Sequence, residues 1–377
     1  MEVRPEALAA FQRAGREAHA NPAALHRAGR RAQGVLEDAR DRVAAVLRCS
    51  ASEIIFCSSA TEANNISILG AARAMERVHG KSPHLISSKA EHPSVLGPLR
   101  HLQQMGCRLS LVPLENGARV PVEKLLQAAE GGEGANLFAL QWANNETGTV
   151  QDWDALASAV LDSSFLHCDA VQGIGKLPFA DSIFSSHALV VSGHKIGAPK
   201  GVAALRLSPL AMLDPVSFGG GHQRGFRPGT ESPDLATSFA TALELAVAEQ
   251  AAFARETLSA KTALLEILKN EFPQLVCQQP EGGNSLPNTC SLSFPNMDGR
   301  KLLPALDAEG LAVSSGSACS AGAPKPSSVL LACGVSAELA RATVRISFGC
   351  GQGAVIGKKV GAVVVAVLDR IYNVGNL

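Results

Sequence analysis

Short apolar runs alternate through the first two thirds of the chain with stretches whose apolar residues recur every three or four positions. "EIIFCSS" precedes a helical pattern from about 62 to 78, "PHLISS" precedes "PSVLGPLRHLQQMG", and "CRLSLVPL" precedes "VEKLLQAAE". The rhythm continues through "ANLFALQWA", "DWDALASAVLD" and "SFLHCDA". Strand-length apolar runs followed by helical patterns predict an α/β layer on a mostly parallel sheet. From Pro233 to about Asn270 the pattern becomes one helical stretch without internal Gly or Pro, read as the connector to a second lobe of mixed strands and helices. The late run "GAVVVAVL", 361–368, is far shorter than the roughly 20 residues a membrane span needs. It predicts the buried face of a final helix.

Composition narrows the class. A chain of 377 residues with 46% hydrophobic content can bury a large core and divide into two lobes. Lys+Arg and Asp+Glu both number 34, so nothing in the net charge points to nucleic acid or an anionic membrane. The nine cysteines form no CxxC pair, which argues against a disulfide scaffold or zinc ribbon and for a reducing compartment, the cytosol by default. The amphipathic opening "MEVRPEALAAFQRAGREAHA" carries Glu2, Glu6 and Glu17 and lacks a signal peptide's apolar core.

The polar residues at strand ends carry the chemistry, because ligands of such sheets collect at the strands' carboxyl ends. Ala60, Thr61 and Glu62 follow "EIIFCSS", so a helix starts where free N–H groups and a hydroxyl suit a phosphate, or simply an ordinary helix cap. "NNETG" follows "ANLFALQWA" and puts Asn144 and Asn145 at the next strand end, in a turn if nothing else. Asp169 closes a nearly all-apolar run and is followed by Gln172; a carboxylate there is expensive to bury without a cationic partner, unless it caps a helix. "VVSGHKIGAPKG" ends its strand on Ser192, Gly193, His194 and Lys195. Alone, that lysine is a solvated rim charge. Together, a phosphate holder, a buried Asp and a later strand-end Lys suggest pyridoxal phosphate, whose phosphate, ring nitrogen and aldehyde suit those three groups in turn.

The ordered motifs "NPAALHRAG", "SSATEANN", "EHPSV", "NNETGTVQ", "HCDAVQGIGK", "SGHKIGAPKG", "GGGHQRGFRPGTE", "LPNTCSLSF", "SSGSACSAG" and "VRISFG" cover about 21 to 349. They resemble the NifS/IscS-like cysteine desulfurases of the class V aminotransferase family. The resemblance implies a fold type I pyridoxal-phosphate transferase. Its large domain, 1–245, would hold a mixed, mostly parallel sheet flanked by helices, with the first 20 or so residues free to pack on the small domain. The smaller α+β domain, 246–377, would carry the cysteine loop.

The same resemblance assigns roles. Lys195 would be the Schiff-base lysine, Asp169 the partner of the pyridine nitrogen, and Gln172 and Asn145 neighbours of the phenolic oxygen. His92 would stack on the ring and transfer protons beside it. Ala60, Thr61, Ser192 and His194 would ring the phosphate, and Thr230 would reach the phosphate of a second subunit in a homodimer. Arg345 would hold the carboxylate of the substrate, L-cysteine, through a bidentate pair. Cys319, in the Gly/Ser/Ala/Pro-rich "SSGSACSAGAPKPSS", would take the sulfur as a persulfide and pass it to an acceptor protein serving iron–sulfur clusters or tRNA thiolation. "GGGHQRG" is followed by no GK[ST], so a P-loop reading fails.

Two departures stand beside the match. The group usually carries a "YLDNNATTP"-like segment before the stretch that here reads "MEVRPEALAAF", which implies either a start placed too far downstream or a truncated paralogue. After "VRISFG", "CGQGAVIGKKVGAVV" replaces the usual Arg-Phe and acidic helix, which alters the surface open to an acceptor. A selenocysteine lyase of the same fold and a non-catalytic paralogue acting as a binding partner remain alternative readings.

Overall fold

The computed structural model describes every residue except 116, 131–134, 160–163, 281–283, 298, 316–325 and 376–377. The chain forms two compact units: 1–112, 122–142 and 152–249 make the first, and 113–121, 143–151 and 250–377 the second.

The first unit is built on seven strands: β1 Ile54–Cys57, β2 His84–Ser88, β3 Leu109–Val112, β4 Asn136–Gln141, β5 Phe165–Asp169, β6 Ala188–Ser192 and β7 Ala203–Leu207. Their order is β1-β7-β6-β5-β4-β2-β3. All neighbours are parallel except those of β7, which runs antiparallel to both β1 and β6. Reversing β7 alone leaves β1 to β6 pointing the same way, so their carboxyl ends share one edge. β1, β2, β4, β5, β6 and β7 are almost wholly buried, which is why the apolar runs lack alternation.

The helices of this unit are α1 Pro5–Glu17, α2 Arg27–Val46, α3 Ala60–His79, α4 Pro93–Gln104, α5 Val122–Ala129, α6 Trp153–Ala159 and α7 Pro233–Ala248. Ala63, Ile66, Ala71 and Met75 of α3 and Val95 and Leu99 of α4 join Leu85, Leu137, Val190 and Leu205 of the sheet in one core. α1 belongs here too: the Arg4 N–H donates to Gly197 O at 2.8 Å, and the Ser238 hydroxyl of α7 donates to Ala7 O at 2.7 Å.

The long helical stretch from Pro233 forms two helices rather than one. α7 ends at Ala248 and is capped by Glu249, whose N–H still donates to Leu245 O at 2.9 Å and whose carboxylate takes Arg4 Nη1 at 2.6 Å. α8, Gln250–Glu271, then starts the second unit. Local propensity carries no sign of this break, because what separates the helices is the layer each one packs into.

The second unit holds a four-stranded antiparallel sheet of β8 Val276–Cys277, β9 Thr289–Ser293, β10 Ser314–Ser315 and β11 Thr343–Ser347, ordered β10-β11-β9-β8. Its helices after α8 are α9 Gly299–Ala308, α10 Ser328–Ala332, α11 Ala337–Arg341 and α12 Ala354–Gly375. Two interior segments enter this unit, which a contiguous division of the chain does not anticipate. The reason is pairing: the Val150 N–H donates to Asn284 O at 2.9 Å and the Leu286 N–H to Gly148 O at 2.7 Å.

The final helix forms as its apolar run predicts, with Val364, Val367 and Leu368 buried. It packs along α8 through a glycine contact, where a Cβ on Gly357 would lie 2.1 Å from Ala260 O. Backbone cannot swing aside as a side-chain tip can. No described helix is long and apolar enough to cross a membrane. Gly357→Val is expected to destabilise the protein by about 1–3 kcal/mol through overpacking, read as a thermal midpoint lower by several degrees; an unchanged midpoint would contradict close α8–α12 packing.

Candidate active site

The shared carboxyl edge of the first sheet gathers the chemistry. Cys57 ends β1 and Ser192 ends β6, both in register with Ala203 of β7. Asp169 ends β5 between Gln141 of β4 and Val190 of β6. Ala60 and Thr61 open α3, capped by Ser59, whose hydroxyl accepts the Glu62 N–H at 3.2 Å. The Ser58 N–H reaches back to Glu62 Oε2 at 2.5 Å, and Arg227 Nε pairs with Glu62 Oε1 at 3.2 Å. Burial pushes the Glu62 carboxyl up, but the Ser58 N–H and Arg227 outweigh it and hold it below its ordinary value.

Lys195 lies in the short 3-10 turn Gly193–Lys195 directly after β6. His194 beside it has Nδ1 2.9 Å from Ser192 Oγ. Burial lowers its pKa, and the positive charges of Lys195, Lys200 and Lys176 lower it further. A histidine crowded by three lysines marks an electropositive corner suited to an anion.

Asp169 is 7% exposed. Its Oδ2 accepts from Asn64 Nδ2 at 3.0 Å and its Oδ1 from the Val171 N–H at 3.1 Å. Burial raises its pKa against these neutral donors and the charge of His92. His92 caps α4, its Nδ1 taking the Ser94 N–H at 3.1 Å. Burial lowers the His92 pKa, with Asp169 favouring the cation and Lys195 opposing it. His92 therefore lies close enough to feel the charges of both Asp169 and Lys195. Glu91, just before His92, is buried; burial drives its carboxyl well above the ordinary range and Asp169 adds to the effect, while Ser88 Oγ donates to it at 2.7 Å.

Other candidates sit differently. Gln172 offers its Oε1 to Lys176 Nζ at 2.5 Å. Thr230 is exposed and lines a cleft with Ser58, Gln223 and Arg227. The adjoining Glu231 accepts from Gln223 Nε2, and Gln223 in turn accepts from Arg40 at 3.1 Å and from the Phe56 N–H at 2.7 Å.

Asn145 and Arg345 both belong to the second unit. There Asn144 Oδ1 ties the turn by accepting the N–H groups of Glu146 and Thr147, each at 2.8 Å. Arg345 Nη1 donates to the main-chain oxygen of Asn145 at 2.6 Å. Glu146 is buried and accepts from Ser327, the cap of α10. Burial raises its pKa to about 7, against Ser327 and Arg345. Cys319 lies outside the described residues.

Asn64, Ser94, His167 and Glu91 are the site residues that motif reasoning missed. A signal was present. Asn64 and Ser67 are polar residues three apart on the apolar face of α3, and His167 and Asp169 are two apart on one face of β5.

The donor set fits pyridoxal phosphate on its chemistry: a capped helix start and an electropositive corner for the phosphate, a buried carboxyl for a protonated ring nitrogen, and a lysine amine on the adjoining strand end. The profile of the family "Aminotransferase class-V" matches residues 2–353. Cysteine desulfurase IscS of Dictyoglomus turgidum is 32% identical over 348 residues, 92% of this chain and 87% of its own length. Cysteine desulfurase IscS of Photobacterium profundum is 36% identical over 333 residues, 87% of this chain and 80% of its own length. Among solved structures, a NifS-like protein superposes with a TM-score of 0.89 at 30% identity, covering 98% of this chain and 97% of that one. SspA in complex with cysteine superposes with a TM-score of 0.77 at 28% identity, covering 92% and 96%. The chain belongs to the class V aminotransferase family, within its NifS/IscS-like group of cysteine desulfurases.

Proposed function

We propose that the protein is a pyridoxal-phosphate-dependent cysteine desulfurase that converts L-cysteine to L-alanine and takes the sulfur onto Cys319. The observation that carries this reading is the meeting of buried Asp169, strand-end Lys195 and the capped start of α3 on one sheet edge. Its kinship with enzymes named cysteine desulfurases supports the choice of substrate.

The cofactor, when bound, supplies a carbonyl for the substrate amine and a ring that takes up the electron pair of the broken Cα–H bond. Asp169 would hold the ring nitrogen protonated, which a carboxylate facing neutral donors is suited to do. His92 would lie against the ring, with Gln172 and Asn145 toward its phenolic oxygen. Ala60, Thr61, Ser192 and His194 would hold the phosphate, the last two already linked to each other. The amine of Lys195 would move the Cα proton. Arg345 would take the substrate carboxylate, its planar fork suiting two oxygens at once.

Sulfur transfer needs no outside oxidant. The Cys319 thiolate attacks the substrate sulfur, an S–S bond forms as the C–S bond breaks, and the carbon fragment keeps the electron pair and is protonated to alanine. A persulfide on Cys319 can then be handed to an acceptor protein, of the kind that builds iron–sulfur clusters or relays sulfur to tRNA, in the cytoplasm. Thr230, exposed and next to the anchored Glu231, would reach the phosphate of a second subunit.

Cys319→Ala should still bind pyridoxal phosphate and cysteine yet form alanine about a thousandfold more slowly, because no substitute nucleophile remains. Given cysteine without an acceptor, the wild-type peptide containing Cys319 should gain one sulfur atom in its mass spectrum. Undiminished alanine formation by the variant would defeat the sulfur-transfer step. Sedimentation at assay concentration should find a homodimer, since a shared cofactor site accompanies interfaces of roughly 2,000 Å² or more; a fully active monomer would remove Thr230 from the site.

A further inference from the structure

A chain of buried polar side chains beneath His92 fixes where protons can sit, and its meaning for catalysis rests on the function proposed above. Asn64 and His167 are both fully buried. The nitrogen and oxygen of an Asn amide have the same shape, so its partners decide which way it faces. In its carboxylate form Asp169 can only accept, and so requires a donor. Asn64 therefore turns Nδ2 toward Asp169 Oδ2 at 3.0 Å and toward Ser94 Oγ at 2.8 Å, and Oδ1 toward His167 Nε2 at 3.0 Å.

Each arm then has one consistent hydrogen pattern. His167 carries its proton on Nε2 and accepts at Nδ1 from Ser67 Oγ, 2.9 Å away. Burial lowers the His167 pKa to about 3, so the ring is neutral. On the other arm Ser94 Oγ, having accepted from Asn64, sends its own hydrogen to His92 Nδ1 at 2.7 Å. The Ser94 N–H converges on the same nitrogen at 3.1 Å. Two donors face His92 Nδ1, so that atom bears no hydrogen.

We propose that Asn64 and Ser94 are positioning residues that lock His92 in its Nε2–H tautomer, so that any hydrogen it offers beside the ring is the one on Nε2. Forming the imidazolium would put a hydrogen on Nδ1 against the Ser94 N–H and would force the Ser94 hydroxyl to turn its own hydrogen away. The charged groups bearing on the ring are Asp169, which favours the cation, and Lys195, which opposes it, with burial the largest influence and against the cation. Burial drives the carboxyl of Glu91, next in the chain, well above its ordinary range. The device resembles other sites in which a neutral imidazole donates a hydrogen bond where an imidazolium would be too easily deprotonated.

The test uses the 377-residue chain without cofactor, so it succeeds or fails independently of the desulfurase reading. Long-range nitrogen–proton NMR on 15N-labelled protein, with the His92 signals identified by their loss in His92→Gln, reports which ring nitrogen is protonated. Wild type should show an unprotonated Nδ1 and a protonated Nε2 from about pH 6 to 8. Ser94→Ala removes one of the two donors and should raise the His92 pKa by about half to one pH unit. Asn64→Asp, close in shape, should draw the Ser94 hydroxyl to itself and mix the two tautomers. An Nδ1–H tautomer in the wild type, or a His92 pKa unmoved by Ser94→Ala, would overturn the proposal.

Discussion

A carboxyl group buried at the end of the sheet's middle strand is the constraint on which the site depends. Removing a carboxylate from water costs on the order of several kcal/mol unless hydrogen bonds and a cation compensate. Asp169 meets part of that cost with neutral donors, Asn64 on one oxygen and the Val171 N–H on the other. These donors come from α3 and from the turn after β5 itself, so holding the carboxylate fixes helix against sheet. A carboxyl group fixed in this way suits the protonated ring nitrogen of the proposed cofactor.

The reversal of β7 follows the same logic of one working edge. Because only β7 runs the other way, β1, β4, β5 and β6 all deliver their final residues to the same side. Ser59, Asp169 and Lys195 each stand at or just past such an end. The capping of α3 by Ser59 satisfies one free N–H of its first turn and leaves the helix start facing the edge where the lysines of the 194–200 turn and Lys176 raise the positive potential.

Much of this was legible in the chain because strand ends in a parallel sheet are places where sequence position and function coincide. Lys195 and Asp169 stand out since a charged residue closing an apolar run has few ordinary reasons to be there. Asn64 and His167 hide because a polar residue inside a helix or strand looks like a tolerated exception; only their spacing, with Ser67 and Asp169, shows that two polar faces meet. The membership of 143–151 in the second unit rests on contacts with Asn284 and Leu286, more than a hundred residues away, which no local pattern encodes. The break between α7 and α8 hides for the same reason. Gln172 stands out by its place beside Asp169, while its bond with Lys176, four residues on, leaves no mark in the local pattern.

The central claim is that Lys195 is the amine that engages the cofactor. Incubating the protein with pyridoxal phosphate, reducing with borohydride and mapping the peptides tests it directly. The account predicts one stable pyridoxyl adduct, on Lys195. An adduct on Lys200 or Lys176 in its place, or no adduct on folded protein, would contradict it.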